Sequence, residues 1–474
     1  MRLDIQSAFP ELAFGTSGVR ALVKSFSFEA VAAYVFSFVQ RMRQTDALGK
    51  EEQIAIGIDL RPSSPDIALM VCETLAHLGI RPDYLGALPT PALALYCLDS
   101  GIPGIMITGS HIPFDRNGIK FYRPDGEILK EDEAAIASTV IPAGALPVQA
   151  SWTQLPEASL QARAAYVRRY VDFFGADALA GLRIGVYEHS AVGRDLTVEV
   201  LCALGAEVIA SGRSEEFVPV DTEAVSDADL AQAKRWCGEH CLDALVSTDG
   251  DGDRPLVFDA DGNFVRGDIL GALCAHMMGI EALAVPVSCN TAIEKTGFFP
   301  RILRTRIGSP YVIAGMNQLL AEGFARVAGF EANGGFLLGS ALQDLSALPT
   351  RDALLPMISI LVAAKRRALS VADLVAELPQ RFTYSDRLKN IPSEFSQTLL
   401  SRLIDNAAFR MQLFQENGEV VSIDQTDGVR MSFSDGHIAH LRASGNAPEL
   451  RCYAEAPTYD QAKALCERTL KRIA

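Results

Sequence analysis

The sequence has none of the features that mark membrane, secreted or nucleic-acid-binding proteins. No apolar run in its 474 residues reaches the roughly 18 residues that a membrane helix needs. The stretch from Met1 to Gln6 has no signal-peptide pattern, so we expect a soluble cytoplasmic protein without a membrane partner. Asp and Glu number 58 against 43 Lys and Arg, and the formal charge of −15 argues against nucleic acid as a partner.

Cysteine-based metal patterns and the common serine-hydrolase pattern are also missing. The nine cysteines are scattered, and no two of them form a C-x-x-C pair. Cys237 and Cys241 flank His240 without a second ligand cluster, so we expect reduced thiols rather than a zinc site. The G-x-S-x-G elbow of α/β-hydrolases is absent, which leaves little support for acyl transfer.

An alternating run of aspartates and glycines follows the apolar segment 242–246. Asp249, Asp251 and Asp253 can point the same way from an extended segment and converge on one hard cation such as Mg²⁺, which prefers oxygen ligands. An EF-hand loop would need Gly and Glu where Arg254 and Ala260 stand. Two alternatives stay open: a dehalogenase-type nucleophile at Asp249 with Asp251 as its acid/base, and a solvated acidic turn.

A serine lies at the end of an apolar run earlier in the chain. The run from 104 to 107 leads into a polar loop that holds Ser110 and His111, and a second strand-like run that includes Lys120 follows it. A hydroxyl at a strand end can carry a phosphoryl group, because a cation and basic neighbours balance the charge of the phosphate. Serine and histidine are also adjacent by chance in many proteins, so this loop alone predicts little.

Two further loops combine glycine, hydroxyl and arginine side chains. The segment 442–451 begins and ends with arginine and supplies a donor-rich nest for an anion, whose oxygens fit the guanidinium fork. An ordinary β-turn with solvated arginines is the alternative for that segment. Near the N-terminus, the segment 14–20 is a second loop of this kind, and it ends in Arg20.

Taken in their order along the chain, the four loops resemble the motifs of the α-D-phosphohexomutase superfamily, which includes phosphoglucomutase and phosphomannomutase. The similarity runs over nearly the whole chain. The resemblance implies that Ser110 is the phosphoserine and that Asp249, Asp251 and Asp253 bind Mg²⁺ beside its oxygen. It makes Lys120, Arg20 and His111 the candidates for proton transfer. The substrate-binding residues that it implies are Arg254, Glu331, Asn333, Arg442, Ser444, Gly445, Asn446 and Arg451.

The chain departs from the family pattern chiefly in two segments: 329–335, called here the sugar loop because the family binds sugar hydroxyls there, and 442–451, called here the phosphate loop. Where the family has Gly-Glu-x-Ser-Gly, this chain keeps Glu331 but has Asn333 in place of the serine, which alters how sugar hydroxyls are recognised. In the phosphate loop, Asn446 and Ala447 replace the family's Thr-Glu. Asn446 can still donate to phosphate, whereas losing the glutamate loosens the orientation of the flanking arginines.

The resemblance also implies an activity. A phosphate on Ser110 is transferred to a hexose phosphate, which gives a hexose 1,6-bisphosphate that serves as intermediate and activator and then returns its other phosphate. We expect hexose 1- and 6-phosphates as ligands, mannose as the preferred sugar, and a monomer or homodimer. The alternatives are a glucose-specific or dual-specificity mutase, a phosphoglucosamine mutase, and a catalytically silent sugar-phosphate-binding homologue.

Strand, turn and helix patterns repeat along the first three quarters of the chain. Similar patterns begin near residues 54 and 182, with a fainter one near 284, and alternating strands and helices predict mixed or parallel sheets. Segments 428–433 and 437–442 with Asp435-Gly436 between them predict a hairpin, and 460–473 a closing helix. We expect three related α/β domains and a smaller C-terminal α+β domain around a central cleft, with a hinge near 376–388. The expected boundaries are 1–155 with the phosphoserine loop, 156–256 with the metal loop, 257–376 with the sugar loop and 377–474 with the phosphate loop.

Overall fold

A computed structural model describes residues 3–15, 18–110, 112–147, 151–444 and 448–473. Within these ranges the chain forms four large sheets, one for each expected domain, and a small two-stranded sheet. No helix in this part of the chain is both long and apolar enough to span a bilayer.

Domain I is built on a seven-stranded mixed sheet. Its elements are β1 (Leu3–Asp4), α1 (Ile5–Ala8), β2 (Ala13–Phe14), β3 (Val19–Leu22), a short 3-10 helix (Val23–Ser25), α2 (Phe28–Gln44), β4 (Gln53–Ile58), α3 (Ser64–His77), β5 (Arg81–Ala87), α4 (Thr90–Ser100), β6 (Gly104–Ile107), β7 (Arg116–Arg123), β8 (Gly126–Glu127), α5 (Lys130–Ala137) and β9 (Val140–Ile141). The strand order is β2-β3-β7-β6-β4-β5, with β8 paired to β7. Strand β4 runs parallel to β5 and β6, whereas β7 runs antiparallel to β6.

Domains II and III each contain a five-stranded sheet. Domain II comprises α6 (Gln161–Phe174), β10 (Arg183–His189), α7 (Arg194–Ala203), β11 (Glu207–Arg213), α8 (Asp227–His240), β12 (Ala244–Thr248), β13 (Pro255–Asp259) and β14 (Phe264–Val265). Domain III comprises α9 (Gly267–Met277), β15 (Ala282–Pro286), α10 (Ala292–Lys295), β16 (Arg301–Thr305), α11 (Ser309–Ala321), β17 (Val327–Phe330), β18 (Phe336–Leu338), β19 (Leu348–Asp352), α12 (Leu354–Arg367) and α13 (Val371–Ala376).

The first three domains share one topological unit, which confirms the repeat expected from the sequence. The orders β11-β10-β12-β13 and β16-β15-β17-β18 match β5-β4-β6-β7 of domain I. In each unit three parallel strands are followed by an antiparallel fourth. Strands β12 and β15 are buried along their whole length, as their continuous apolar sequences require in a sheet covered on both faces. The loop between the third and fourth strands therefore occupies the same place in all three domains.

Domain IV is an antiparallel sheet with its own helices. Its elements are β20 (Phe382–Lys389), α14 (Ser393–Asp405), α15 (Ala407–Leu413), β21 (Val420–Asp424), β22 (Val429–Phe433), β23 (Ile438–Ala443), β24 (Glu449–Ala456) and α16 (Tyr459–Ile473). The order is β20-β24-β23-β22-β21. The pairing of β22 with β23 confirms the expected hairpin, and α16 confirms the closing helix.

Hydrophobic packing separates the last domain from the other three. The largest buried cluster draws on domains I, II and III through α4, α6, α9 and α12. Domain IV has a cluster of its own, formed by side chains between residues 399 and 470. A domain with a separate core can move as a unit on the other three.

The expected domain boundary at residue 256 and the expected hinge at 376–388 do not coincide with the ends of the observed elements. Residue 256 lies inside β13, and the second sheet continues to Val265 because β14 pairs with β13. The segment 376–388, expected as a hinge, contains most of β20, which is hydrogen-bonded to β24 along its whole length. The chain between α13 and β20 is therefore the shorter connection between domains III and IV.

Candidate active site

The three equivalent loops of domains I, II and III meet at one place. They follow β6, β12 and β17, at the carboxyl ends of parallel strands, where α/β proteins place their ligands. The Ser110 Oγ donates a hydrogen bond to Asp249 Oδ2 at 2.7 Å, across 139 residues of sequence. The serine and the aspartate loop, expected to lie close together, are therefore in direct contact.

The backbone presents Ser110 in an unusual conformation. Its φ is +53°, a left-handed value that costs a non-glycine residue about 1 to 3 kcal/mol. Its N–H donates to Thr108 Oγ1 at 2.8 Å, and its carbonyl accepts from Arg61 Nη2 at 2.8 Å. The loop around Ser110 thus holds a conformation that the serine alone would not favour.

Arg61 is the centre of this support, and sequence reasoning did not single it out as a site residue. Its side chain is almost fully buried, and Nη1 donates to the carbonyls of Pro113 and Arg116 at 2.7 and 3.0 Å. Its Nε donates to Asp59 Oδ2 at 3.2 Å, and the ring of Phe217 lies 4.1 Å from the guanidinium. One arginine therefore ties the serine loop to domain I and also touches domain II.

The three aspartates form a buried group suited to a divalent cation. Asp249, Asp251 and Asp253 are each at most 1% exposed, and one carboxylate oxygen of each lies within 4.8 Å of the others. Among the described residues, Asp251 Oδ1 and Asp253 Oδ1 have no hydrogen-bond partner, and both atoms are buried. Burying unpaired carboxylate oxygens costs free energy unless a cation binds them. A set of donors made up only of oxygen atoms fits Mg²⁺.

The pKa values of the three carboxyls diverge. Burial together with the neighbouring carboxylates raises the pKa of Asp249 well above its ordinary value. Burial acts in the same direction on Asp251, but Lys120 and Arg254 outweigh it and lower the pKa of Asp251. The pKa of Asp253 is lowered in the same way, chiefly by Arg351. Two of the three carboxyls are therefore stabilised as anions by the protein itself.

Besides Ser110, domain I supplies Lys120 and Thr90 as direct partners of the aspartate loop. Lys120 Nζ, on β7, donates to Asp251 Oδ2 at 2.6 Å and to Asp253 Oδ2 at 3.1 Å. Thr90, the first residue of α4, donates from Oγ1 to Asp251 Oδ2 at 2.9 Å, and its N–H donates to the carbonyl of Asp251. Lys120 was expected in the site; Thr90 was not.

Two arginines expected in the site lie beside the carboxylates. Arg254 Nε is 3.9 Å from Asp249 Oδ2 and 3.6 Å from Asp253 Oδ1. Arg20, on β3, pairs through its backbone with Gly118 of β7. Burial, followed by repulsion from Arg254 and Arg351, lowers the pKa of Arg20 to about 10. The cations are packed closely enough to repel one another, which favours an anionic ligand.

The sugar-loop residues are linked to the metal loop by Arg351, a residue that the sequence did not indicate. Arg351, on β19, donates to Asp253 Oδ2 from Nε and Nη2 at 3.0 and 2.8 Å, and to Glu331 Oε2 from Nη1 at 2.9 Å. Asn333 Oδ1 accepts from Gly335 N at 3.0 Å, so this side chain shapes its own loop. Thr222 Oγ1 donates to the Asn333 carbonyl at 3.0 Å and joins the loop to domain II.

The phosphate-loop arginines lie on β23 and β24 of domain IV. Arg442 Nε lies 2.8 Å from Asp427 Oδ2, and Arg451 Nη2 lies 3.4 Å from Glu449 Oε2. Burial acts to lower the pKa of Arg451, but Tyr453, Glu449 and Glu223 of domain II raise it. The carboxylate of Glu223 in domain II therefore helps to keep Arg451 charged.

Asp427 connects the phosphate loop to domain III. The same Oδ2 that faces Arg442 accepts from Ile307 N at 3.0 Å, and Arg306 Nε donates to the Thr426 carbonyl at 3.1 Å. The Ser444 N–H donates to the Glu449 carbonyl at the base of the loop. His111, Gly445 and Asn446, also expected in the site, lie outside the described residues.

Four domain families described as Phosphoglucomutase/phosphomannomutase match the chain. They are alpha/beta/alpha domain I at residues 11–143, alpha/beta/alpha domain II at 164–262, alpha/beta/alpha domain III at 266–382 and the C-terminal domain at 393–472. A phosphomannomutase from Salmonella muenchen is 47% identical, with 97% of this chain and 95% of the relative covered. A phosphomannomutase from Sinorhizobium fredii is 42% identical, with 96% and 98% covered.

Solved structures share the fold. A phosphoglucomutase/phosphomannomutase family protein from Burkholderia thailandensis matches with a TM-score of 0.76 at 20% identity, with 97% of this chain and 96% of that chain covered. The N-acetylphosphoglucosamine mutase of Aspergillus fumigatus, in complex with GlcNAc-6P and magnesium, matches with a TM-score of 0.60 at 14% identity, with 99% of each chain covered. Domain matches from residue 11 to 472, together with a 47% identical relative, establish that this chain belongs to the phosphoglucomutase/phosphomannomutase family.

Proposed function

We propose that the protein is a phosphohexomutase that interconverts mannose 1-phosphate and mannose 6-phosphate through a phosphoserine at Ser110. The observation that carries the proposal is the 2.7 Å contact between the Ser110 hydroxyl and Asp249, within a buried group of three carboxylates. A hydroxyl in this position is suited to carry a phosphoryl group rather than to attack a carbonyl, because it lies next to a cation site.

The chain's own residues supply positioning and charge. Arg61 holds the serine loop, while Arg20, Lys120 and Arg254 place positive charge around the group of carboxylates that Ser110 contacts. Such preorganised charge is the main contribution of a protein to phosphoryl transfer. We propose that Asp249, Asp251 and Asp253 hold Mg²⁺, which would offset charge on the transferred group.

The remaining proposed contacts bind the rest of the substrate. Glu331 and Asn333 read the sugar hydroxyls, and Arg442, Ser444, Gly445, Asn446 and Arg451 bind the phosphate that is not being transferred. Transfer from Ser110 gives a hexose 1,6-bisphosphate, and return of the other phosphate regenerates the phosphoserine. Lys120, Arg20 and His111 are the candidates for moving the proton. A cleft that excludes water is needed, because water would otherwise hydrolyse the phosphoserine.

The preference for mannose is supported by the two phosphomannomutases at 47% and 42% identity. Phosphoglucosamine mutases also match, at identities of 25% to 30%. Glucose phosphate is the second candidate sugar, because the family name includes both activities. A cytoplasmic location and a monomeric or homodimeric state stay predictions.

A coupled assay tests this proposal. Turnover of mannose 1-phosphate, glucose 1-phosphate and glucosamine 1-phosphate is measured with Mg²⁺ and catalytic hexose 1,6-bisphosphate, for the wild type and for Ser110→Ala. We expect the highest kcat/KM for the mannose compound and a loss of at least about a thousandfold in the variant. Activity that survives Ser110→Ala would point instead to Asp249 as the nucleophile. No turnover of any of the three compounds would identify a silent sugar-phosphate-binding homologue.

A further inference from the structure

A cavity of about 370 Å³ lies between domains III and IV, away from the residues described above. Domain III contributes Glu294, Lys295 and Arg304 to its wall, and domain IV contributes Arg381 and Arg430. None of the described residues of the serine, metal, sugar and phosphate loops lines it. The volume is that of a site for a small metabolite.

Its position on the domain IV sheet separates it from the phosphate loop. Ile438 and the turn residue Gly436 line the cavity at the start of β23, whereas Arg442 lies at the other end of that strand. His440, which is 1% exposed, stands between them and pairs with Arg430 across the ladder. A ligand in the cavity would therefore contact domain IV without occupying the phosphate loop.

The wall of the cavity carries more positive charge than its own carboxylates offset. Arg304 pairs with Glu294 through Nε and Nη2, both at 2.7 Å, and Arg381 pairs with Glu455 at 2.6 Å. Within the described residues, the side chains of Lys295 and Arg430 make no hydrogen bond or ion pair. Two cations are thus left over, in a protein whose formal charge is −15.

Electrostatics around Arg430 support the same conclusion. Burial and repulsion from Arg304 lower the pKa of Arg430, although Glu455, Glu294 and Asp424 act in the opposite direction. The nearby carboxylates therefore do not fully compensate the guanidinium. A guanidinium in a partly buried pocket is matched by a planar or tetrahedral oxyanion, which accepts several hydrogen bonds at once.

We propose that this cavity, called here the junction pocket, binds a small phosphoryl oxyanion with two or more negative charges. Lys295 would hold it from domain III, and Arg430 would hold it from domain IV. The donors of Arg304 are already bonded to Glu294 and to the carbonyls of Pro286, Cys289 and Asn290. The ligand belongs to the class of free phosphate, diphosphate or phosphorylated metabolites. Because it would contact both domains, the bound anion would link domain IV to domain III at a site separate from the cleft.

Diphosphate is the probe for the test, used in Mg²⁺-free buffer to avoid its magnesium complex. The Arg442→Gln protein, in which phosphate binding by the phosphate loop is weakened, serves as the common background. Isothermal titration calorimetry of this protein should detect one saturable diphosphate site. Adding Lys295→Gln and Arg430→Gln should weaken that site at least about tenfold, because two charged donors are lost.

The matched control is Lys463→Gln with Arg468→Gln in the same background, which removes two exposed positive charges from α16 in domain IV. This control should leave diphosphate binding unchanged. Absence of a saturable site in the Arg442→Gln protein, or an equal loss in the control, would overturn the proposal. If the Lys295→Gln/Arg430→Gln protein does not fold, Lys295→Gln alone must weaken binding, since Lys295 is an exposed residue at the end of α10.

Discussion

Asp427 shows how much of the site depends on residues that do not touch the reacting atoms. Its Oδ2 lies 2.8 Å from Arg442 Nε and accepts from Ile307 N, so one carboxylate orients the phosphate-loop arginine and contacts domain III. If this carboxylate is neutralised, the Arg442 guanidinium can turn away from the bound phosphate. Asp427 is a positioning residue in this sense.

Asp427→Asn should therefore raise KM about tenfold, or about 1.4 kcal/mol, while kcat changes by less than about twofold. Steady-state kinetics with hexose 1-phosphate measure the split. Asp435→Asn is the control, because Asp435 pairs with His437 at the hairpin turn, away from Arg442. A fall in kcat with an unchanged KM would contradict the positioning role.

A second single-residue effect concerns acid stability. His440 Nε2 donates to the Asp427 carbonyl at 2.5 Å, and burial lowers the pKa of His440 to about 4. An unfolded histidine has a pKa of about 6.5, so the unfolded chain takes up the proton first as the pH falls. Neutral His440 contributes stability that is complete above about pH 6.5 and is lost towards pH 4, up to about 3 kcal/mol.

Urea unfolding of the wild type and His440→Gln between pH 7.5 and 4.5 tests this point. As the pH is lowered below about 6.5, the free energy of unfolding of the wild type should decrease more steeply than that of the variant. Parallel pH dependences for the two proteins would mean that His440 does not titrate differently in the folded and unfolded states.

At the scale of elements, strand β19 connects the metal loop to the sugar loop through Arg351. Arg351 binds Asp253 of the metal loop and Glu331 of the sugar loop, with all three side chains nearly buried. Arg351→Met would remove the ion-pair partner of buried Glu331 and one of the cations beside buried Asp253, which keeps Lys120, at a cost of about 3 to 5 kcal/mol. Urea unfolding measures the loss.

Arg326→Met is the matched control for Arg351→Met. Arg326 also pairs with a carboxylate, Glu281, at 2.9 Å, but both side chains are exposed to solvent. The unfolding midpoint of this control should stay close to that of the wild type, because exposed pairs add little stability. Equal losses in both variants would show that burial of the Arg351 network is not the source of its contribution.

The sequence predicted the loops better than the contacts between them. Glycine-rich turns after apolar runs located Ser110 and Asp249, because strand-and-turn patterns are local. Arg61, Thr90 and Arg351 were not predicted, since each acts on residues far away in the sequence: Arg61 on the carbonyl of Arg116, and Arg351 on Asp253. In the sequence alone, nothing distinguishes such arginines and threonines from others, because their partners are defined only by the fold.

Sequence patterns did not locate the limits of elements whose extent depends on pairing with a distant strand. Most of strand β20 was expected to belong to a hinge, because the segment 376–388 links the last two domains, and the strand includes polar residues such as Ser385 and Asp386. In the fold it pairs with β24 and is an edge strand, where polar side chains are tolerated. The hairpin of β22 and β23 was predicted correctly, because an Asp-Gly turn between alternating segments is a local signal.

The architecture as a whole places three copies of one topological unit so that their equivalent loops converge. Each loop follows the third strand of its unit, and between them they supply the serine, the carboxylates and the sugar-reading loop. Domain IV, with its separate core, adds the phosphate loop. The buried carboxylates at the meeting point repel one another, and a cation should therefore stabilise the assembled protein.

Mg²⁺ should raise the unfolding temperature of the wild type in a saturable way, with about 2.7 kcal/mol of stabilisation when Mg²⁺ is a hundredfold above its dissociation constant. Differential scanning calorimetry with and without a chelator measures this increment. Asp251→Asn should lose the increment, because it removes a buried ligand. The exposed Asp261→Asn should keep it, and an equal increment in both variants would contradict the metal site.

Intact-mass measurement with peptide mapping after exposure to a hexose 1,6-bisphosphate and Mg²⁺ tests the proposed chemistry most directly. The wild type should gain one phosphate, located on Ser110, and should lose it on incubation with excess hexose 1-phosphate. Ser110→Ala should gain none. A phosphate on Asp249, or no phosphate on a protein that still turns over hexose phosphates, would contradict the assignment of Ser110 as the phosphoryl carrier.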